Sequence, residues 1–323
     1  MNTIYRLNRS ILIGLLLLLA TSHSFAQGKK KSEEQAAGKP VLWQEGDIAT
    51  RDLLNGPGGT EMQPDVSRVT FVEEDKQGHN KKYRIKDANG HEWVAKLGRE
   101  AQPETAAVRI LYGLGYVTEI NYLVPTITIP GKGTFQNVRL EARPDNIKRL
   151  DEWKWKDNPF VGTNELQGLK IMMVFFTNWD LLDMQNKVLQ VNNNGETEYQ
   201  YIISDLGATF GKLGNNNLPI FFRLGRKTGD PGTWYEAGFV EGAKNGMLEF
   251  HFKGKSRGLM DDITVQQGRW LLDKLQQLSD KQIEDAFRAA NYLPDDVMLL
   301  RDGFKARVEE LDKATRQGNS AID

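Results

Sequence analysis

Apolar and polar positions alternate in Lys82-Tyr83-Arg84-Ile85, while Val69-Thr70-Phe71-Val72 and the apolar and aromatic run from Glu92 to Leu97 are short segments of β-rich composition, as strands require. Asn89-Gly90 stands between the Lys82 and Glu92 runs, and that dipeptide favours the tight turn of a hairpin. The pattern predicts a small antiparallel sheet. From Glu104 the period lengthens: Ala107, Ile110, Leu111 and Leu114 recur at helical spacing, and Pro103 suits a first helical turn. Strands near Leu123–Ile129 and Asn137–Glu141 complete a β-rich first half, residues 43–143. Arg143-Pro144 is expected to be the hinge to a second half, residues 144–315.

The second half is predicted to be mostly helical. A helix is expected over Asn164–Phe176, with Leu166, Leu169, Ile171, Met172 and Met173 as its apolar face and Asn164 with Gln167 as an N-cap pair. Tyr199–Ile203 has a β-rich composition. Helices follow over Gly268–Leu278, over Asp280–Ala290 behind a Ser279/Gln282 capping box, and over Pro294–Leu311. Arg316–Asp323 is expected to fray, Trp43–Leu54 to form a short amphipathic element, and Asn55-Gly56-Pro57-Gly58-Gly59 to turn. Leu213–Gly238, rich in Gly, Asn and Arg and carrying Arg223, Arg226 and Lys227, is expected to be a loop able to meet an anion. The fold class is α+β, with a small β-rich lobe and a larger, mostly helical one.

Arg6 and Arg9, the apolar run Ile11–Ala20 and Ser24-Phe25-Ala26 have the order of a secretory signal cut after Ala26. The apolar run is about half the ~20 residues of a membrane span, so no span is expected after cleavage and the address is the periplasm or beyond. Residues 27–42 are polar and aperiodic, the composition of a disordered tether. The chain has no cysteine, which excludes disulfides and thiolate metal sites. Its four histidines, among them His79, His91 and His251, lack ligand spacing. The net charge of -1 argues against a broad nucleic-acid-binding surface.

What singles the chain out is an ordered set of polar residues: Lys96 in WVAKLG, Glu104 in PETAAVRILYGLGY, Asp180 and Asn186 in NWDLLDMQN, and Asp205 in SDLGATFG. Phosphoryl transfer requires a cation on the phosphates, oxygens on a divalent ion and a carboxylate that orients the attacking hydroxyl. Each part has a candidate here. Asp183 competes with Asp180, and Glu100 with Glu104. For a glycine-rich phosphate lid the candidates are Gly56, Gly58 and Gly59, or Gly78.

At these residues the chain resembles the protein-kinase-like superfold, and its atypical bacterial and secretory-pathway branches more than ordinary protein kinases. The segments GPGGTEMQPD, AKLG, NPFVGTNELQGLK, NWD and SDLGATFG are also similar to a group of exported bacterial proteins. The resemblance implies that Lys96 holds the nucleotide phosphates, Glu104 orients Lys96, Asp180 is the catalytic base, and Asn186 and Asp205 hold metal. It implies Mg²⁺ or Mn²⁺ with ATP or another nucleotide, and a protein, glycan or lipid acceptor. Three features depart from the superfold's pattern: DLG stands for DFG, five residues rather than four separate Asp180 from Asn186, and no G-x-G-x-x-G precedes Lys96. Two further readings follow. One is a degenerate kinase-like binding or scaffold module; the other is a glycan hydrolase using Asp180 or Asp183 in a cleft lined by Trp153, Trp155, Trp179 and Trp234.

Overall fold

The first described element is a strand, β1 (Lys39–Val41), in a computed structural model that describes residues 38–75, 80–193, 195–213 and 226–317. Over Lys39–Val41 the expected tether is instead a strand, because it finds a parallel partner in a later strand; its residues 27–37 lie outside the described residues. Residues 1–26, the expected signal, and the tail 318–323 lie outside the described residues.

The predicted small sheet becomes a five-stranded antiparallel sheet of β2 (Thr70–Asp75), β3 (Lys82–Lys86), β4 (Glu92–Lys96), β5 (Asn121–Ile129) and β6 (Gly133–Ala142). Their spatial order is β2-β3-β4-β6-β5. Tyr83, Ile85, Trp93, Ala95, Val138 and Leu140 point to one face and form their own buried cluster. Register pairs Ala95 with Leu140 and, one step on, Lys96 with Arg139. Period-two geometry therefore sends Lys96 and Arg139 together to the other face. Helix α1 (Ala101–Gly113) begins three residues before Glu104, and Ala106, Ala107, Ile110 and Leu111 seat it in the main core.

After Arg143-Pro144 come β7 (Ile147–Arg149), α2 (Asn164–Phe175), β8 (Asn186–Asn193) and β9 (Glu196–Ile203). The second sheet runs β1-β9-β8-β7, parallel at β1–β9 and antiparallel elsewhere. The rest is α3 (Pro231–Tyr235), the hairpin β10 (Val240–Lys244) and β11 (Met247–Phe250), α4 (Val265–Leu275), α5 (Asp280–Ala289) and α6 (Pro294–Gln317). Helix α2 is the central post. Phe175 at its end meets Phe239 and Phe304 edge-on at centroid distances of 5.2 and 4.8 Å, and Trp234 tilted at 6.3 Å.

Local chemistry explains where expectation and structure differ. The N-cap of α2 is Thr163, whose hydroxyl accepts from the Leu166 N–H at 3.2 Å; Gln167 instead donates to the Asp262 carbonyl at 3.1 Å. Trp43–Leu54 holds one 3-10 turn, Ile48–Thr50, because its partners are Gly115 and the end of α1 rather than its own next turn. Strand β8 (NKVLQVNN) has too few apolar positions to show a period, and its neighbours on both edges supply the order. The Ser279/Gln282 capping box is formed, and Thr264/Gln267 makes a second one at α4. Helix α6 extends through Gln317, past the expected end.

Replacing Phe175 by Ala removes a fully buried ring from this aromatic cluster. It is expected to lower unfolding stability by about 3–5 kcal/mol, measured by urea titration; a loss below about 1 kcal/mol would show that the cluster repacks.

Candidate functional site

Lys96 is the last residue of β4, and its side chain is only 3% exposed. A buried ammonium needs paired oxygens, and three carboxylates supply them. Glu104 Oε2 lies 2.8 Å from Lys96 Nζ, Asp205 Oδ1 3.2 Å and Glu100 Oε2 3.3 Å. Glu100 is therefore an added partner of Lys96 beside Glu104. Glu104, 1% exposed, sits in the first turn of α1.

Asp205 arrives from the end of β9. The N–H groups of Ser204 and Asp205 both donate to the Gln185 carbonyl, at 2.7 and 3.3 Å. The Gly207 N–H donates back to Asp205 Oδ1 at 3.0 Å. A Cβ at position 207 would lie 2.6 Å from Glu100 Cβ, so glycine there lets the Asp205 loop reach the start of α1. Of the residues singled out in the sequence, Lys96, Glu104 and Asp205 meet around one ammonium.

Asp180 belongs to the loop after α2 and connects to the same place through Gln185. Its backbone N–H donates to Asn178 Oδ1 at 3.0 Å, and its Oδ2 accepts from Gln185 Nε2 at 2.9 Å. Its Oδ1 accepts from Lys255, whose own N–H donates to the Trp179 carbonyl at 3.0 Å. The guanidinium carbon of Arg226 lies 4.2 Å from the Trp179 ring centroid. Asp183 is engaged structurally: its Oδ1 accepts from the Trp155 N–H at 3.1 Å.

Asn186 is fully buried, and its amide donates to the Trp153 carbonyl at 3.0 Å while its Oδ1 has no partner among the described residues. Gln185, one residue earlier, is the amide in contact with Asp180, and four residues separate the two in sequence. Adjacent residues at a strand's start project to opposite faces.

Sequence reasoning missed the polar layer behind Lys96. Arg139 lies between Glu104 Oε1 (3.5 Å), Glu119 Oε2 (2.9 Å) and Glu141 Oε2 (3.0 Å). Arg149 joins Glu119 at 2.6 Å, Glu141 at 3.2 Å and the Ser204 hydroxyl at 2.8 Å. Charged residues alternating through the apolar strand β6, Arg139 and Glu141 in QNVRLEA, were the signal. Lys255 had none, being far from Asp180 in sequence.

Burial alone would push the Asp205 carboxyl up, yet the Lys96 ammonium and the Gly207 N–H hold it below the ordinary range. For Glu104 burial prevails over Arg139 and Lys96, and its carboxyl is raised. Burial opposes charge on Lys96 as well, but Glu104 and Asp205 raise its pKa.

The glycines of the expected phosphate lid lie elsewhere. Gly56, with φ of 69°, packs against the Arg109 guanidinium, and the Gly59 carbonyl accepts from Tyr122 Oη at 2.7 Å. Gly78 falls outside the described residues, as does Arg223. Trp153, Trp155 and Trp234 are buried in the core and offer no open stacking wall. Among the described residues no three His, Cys, Asp or Glu side chains gather to hold a metal ion, and no helix is long and apolar enough to cross a membrane.

The architecture is mixed α+β, and the Lys96–Glu104 pair joins β4 to α1. No family model matches the chain, and no curated protein matches it in sequence. Among solved structures it is similar to a Helicobacter pylori proinflammatory kinase, CtkA, at 11% identity over 78% of this chain and 97% of that one, with a TM-score of 0.46. It is also similar to hydra Fam20 with sugar (9% identity, 81% and 89% covered, TM-score 0.40) and to the Golgi casein kinase with Mn/ADP bound (9%, 78% and 74%, 0.39). At these values no residue role transfers, and the chain's own geometry carries the functional reading.

Because its folded pKa is depressed, Asp205 contributes stability that is present above its unfolded value of about 3.9 and lost as pH falls through the folded one. Denaturation midpoints between pH 6 and pH 2.5 are expected to fall less steeply for Asp205→Asn than for the unsubstituted protein. Parallel curves would contradict the assigned shift.

Proposed function

We propose that the protein is an exported phosphotransferase that uses Mg²⁺ or Mn²⁺ with ATP or another nucleotide and transfers to a hydroxyl of a protein, glycan or lipid acceptor. The observation that carries this reading is the convergence of Lys96, Glu104 and Asp205, drawn from β4, α1 and the end of β9, with Asp180 linked to Asp205 through Gln185. Such transfer is mostly positioning and charge neutralisation. The site supplies both on rigid elements.

In this reading the Lys96 ammonium donates to the donor's phosphate oxygens, and Glu104, raised but shared between Lys96 and Arg139, keeps it aimed. A divalent ion would neutralise phosphate charge beside Asp205, whose Oδ1 takes both protein hydrogen bonds and whose Oδ2 takes none among the described residues. The second ligand in this proposal is Gln185 Oε1 rather than Asn186: the Gln185 amide faces Asp180, and its spacing has the usual four residues. Asn186 Oδ1 is an unpartnered buried acceptor, which keeps it as the alternative ligand. Asp180 accepts the proton of the attacking hydroxyl after Lys255 yields Oδ1. Export rests on Arg6, Arg9, the run Ile11–Ala20 and cleavage after Ala26.

One observation favours a second reading, a binding or scaffold module without turnover: both Asp180 oxygens are occupied, by Lys255 and Gln185. Release of phosphate from ATP with Mg²⁺ or Mn²⁺ separates the two. Asp180→Asn is expected to reduce turnover about 10²–10⁴-fold, the usual share of a general base. Gln185→Ala should lower turnover with little loss of stability, whereas Asn186→Ala should mainly lower the melting temperature. Turnover indifferent to Asp180, or absent throughout, would overturn the enzymatic reading.

A further inference from the structure

One ligand-sized cavity does not contain Lys96, Asp180 or Asp205 in its lining. With a volume of about 570 Å³, it opens between the segment Arg143–Ile147, the second sheet at Leu189 and Val191, and the C-terminal end of α1 at Tyr112 and Tyr116. That volume is within the roughly 300–1,000 Å³ of small-molecule sites.

Two polar groups in its wall keep unused hydrogen-bonding capacity. Arg51 donates to the Tyr112 carbonyl at 2.9 Å and lies 5.1 Å from the Tyr112 ring centroid, but it has no carboxylate partner among the described residues. Thr118 Oγ1 is buried without a hydrogen-bond partner. The other cations of the lining are committed: Arg84 to Glu73 and Glu92, Arg143 to Glu141, and Arg149 to Glu119 and Glu141. A guanidinium without a carboxylate partner and an unmet hydroxyl beside Leu189, Val191 and two tyrosine rings suit a ligand with one anionic head and an apolar body.

The inner wall of the cavity is also the outer end of the polar layer behind Lys96. Glu119 and Arg149 line it. Glu119 Oε1 accepts from the Ser204 hydroxyl at 3.0 Å, one residue before Asp205, and its Oε2 accepts from Arg139, the cation beside Glu104. We propose that this cavity is a second site, distinct from the donor site, for a small amphiphilic organic anion held by Arg51 and Thr118, and that its occupancy changes donor affinity through Glu119, Arg149 and Ser204. Coupling of this kind is reciprocal.

The test uses 8-anilinonaphthalene-1-sulfonate, an aromatic body with one anionic head, titrated by fluorescence into the folded protein with and without saturating Mg-ATP. One-to-one binding is expected, about tenfold weaker in Arg51→Ala, weakened in the near-isosteric Thr118→Val, and abolished in the cavity-filling Val191→Trp. Saturating probe should shift the apparent Mg-ATP affinity several-fold, by the factor that Mg-ATP shifts the probe's. Melting temperatures close to the unsubstituted protein's in Arg51→Ala and Thr118→Val keep the comparison valid if Val191→Trp fails to fold. Absence of binding, or binding indifferent to Arg51 and Thr118, overturns the site. Simple competition between probe and Mg-ATP, with both lost in Val191→Trp, also overturns it by making the cavity part of the donor site. Probe binding that follows Arg51 and Thr118 in a protein with no affinity for Mg-ATP would overturn the coupling, and the nucleotide reading with it, while leaving the second site standing.

Discussion

A lysine ammonium almost removed from water is the constraint from which the rest of the site follows. An isolated charge there is prohibitively costly, so the chain must bring Glu104 and Asp205 to Lys96 from two other elements. Glu104 is buried too, and Arg139 has to neutralise it from behind, with Glu119 and Glu141 balancing Arg139 in turn. Removing one partner from such a layer leaves uncompensated buried charge, which typically costs about 3–5 kcal/mol. The layer is thus both a structural tie between the two sheets and the support that fixes Lys96 and Asp205 in place.

The same layer divides the interior. On one side lie Lys96, Asp205 and the Asp180 loop; on the other opens the cavity beside Arg143-Pro144. Asp205 and Arg149 are connected through Ser204, so a change on either side is felt in one hydrogen-bonded chain. Asp180 is held differently, by Lys255 and Gln185 on its two oxygens. Its preparation for proton transfer therefore depends on a segment remote in sequence, while the Lys96 centre is set by the framework itself.

Much of the framework was legible because its signals are local. The Asn89-Gly90 turn and the apolar run after it marked the strand carrying Lys96, helical spacing marked α1 and α2, and the Ser279/Gln282 box marked α5. Lys96, Glu104 and Asp205 were found because each type had to stand next to a recognisable element. What was missed depends on partners distant in the chain: β1 becomes a strand by pairing with β9, and Lys255 reaches Asp180 across the fold. At Asn186 one residue of register decides the face, which the sequence does not display; the strand turns its amide toward Trp153 and leaves Gln185 beside Asp180. The Gly56–Gly59 turn carries a phosphate-loop composition, yet the close approach it permits is to Arg109.

Isothermal titration of Mg-ATP and Mn-ATP into the unsubstituted protein and into Asp205→Ala tests most directly whether the Lys96 centre is a metal–nucleotide site. Saturable binding that requires the divalent ion and is lost in Asp205→Ala, with the fold retained, is the predicted result. No binding by the unsubstituted protein, or equal binding by Asp205→Ala, would show that Lys96, Glu104 and Asp205 serve to join the two sheets and do not hold a nucleotide.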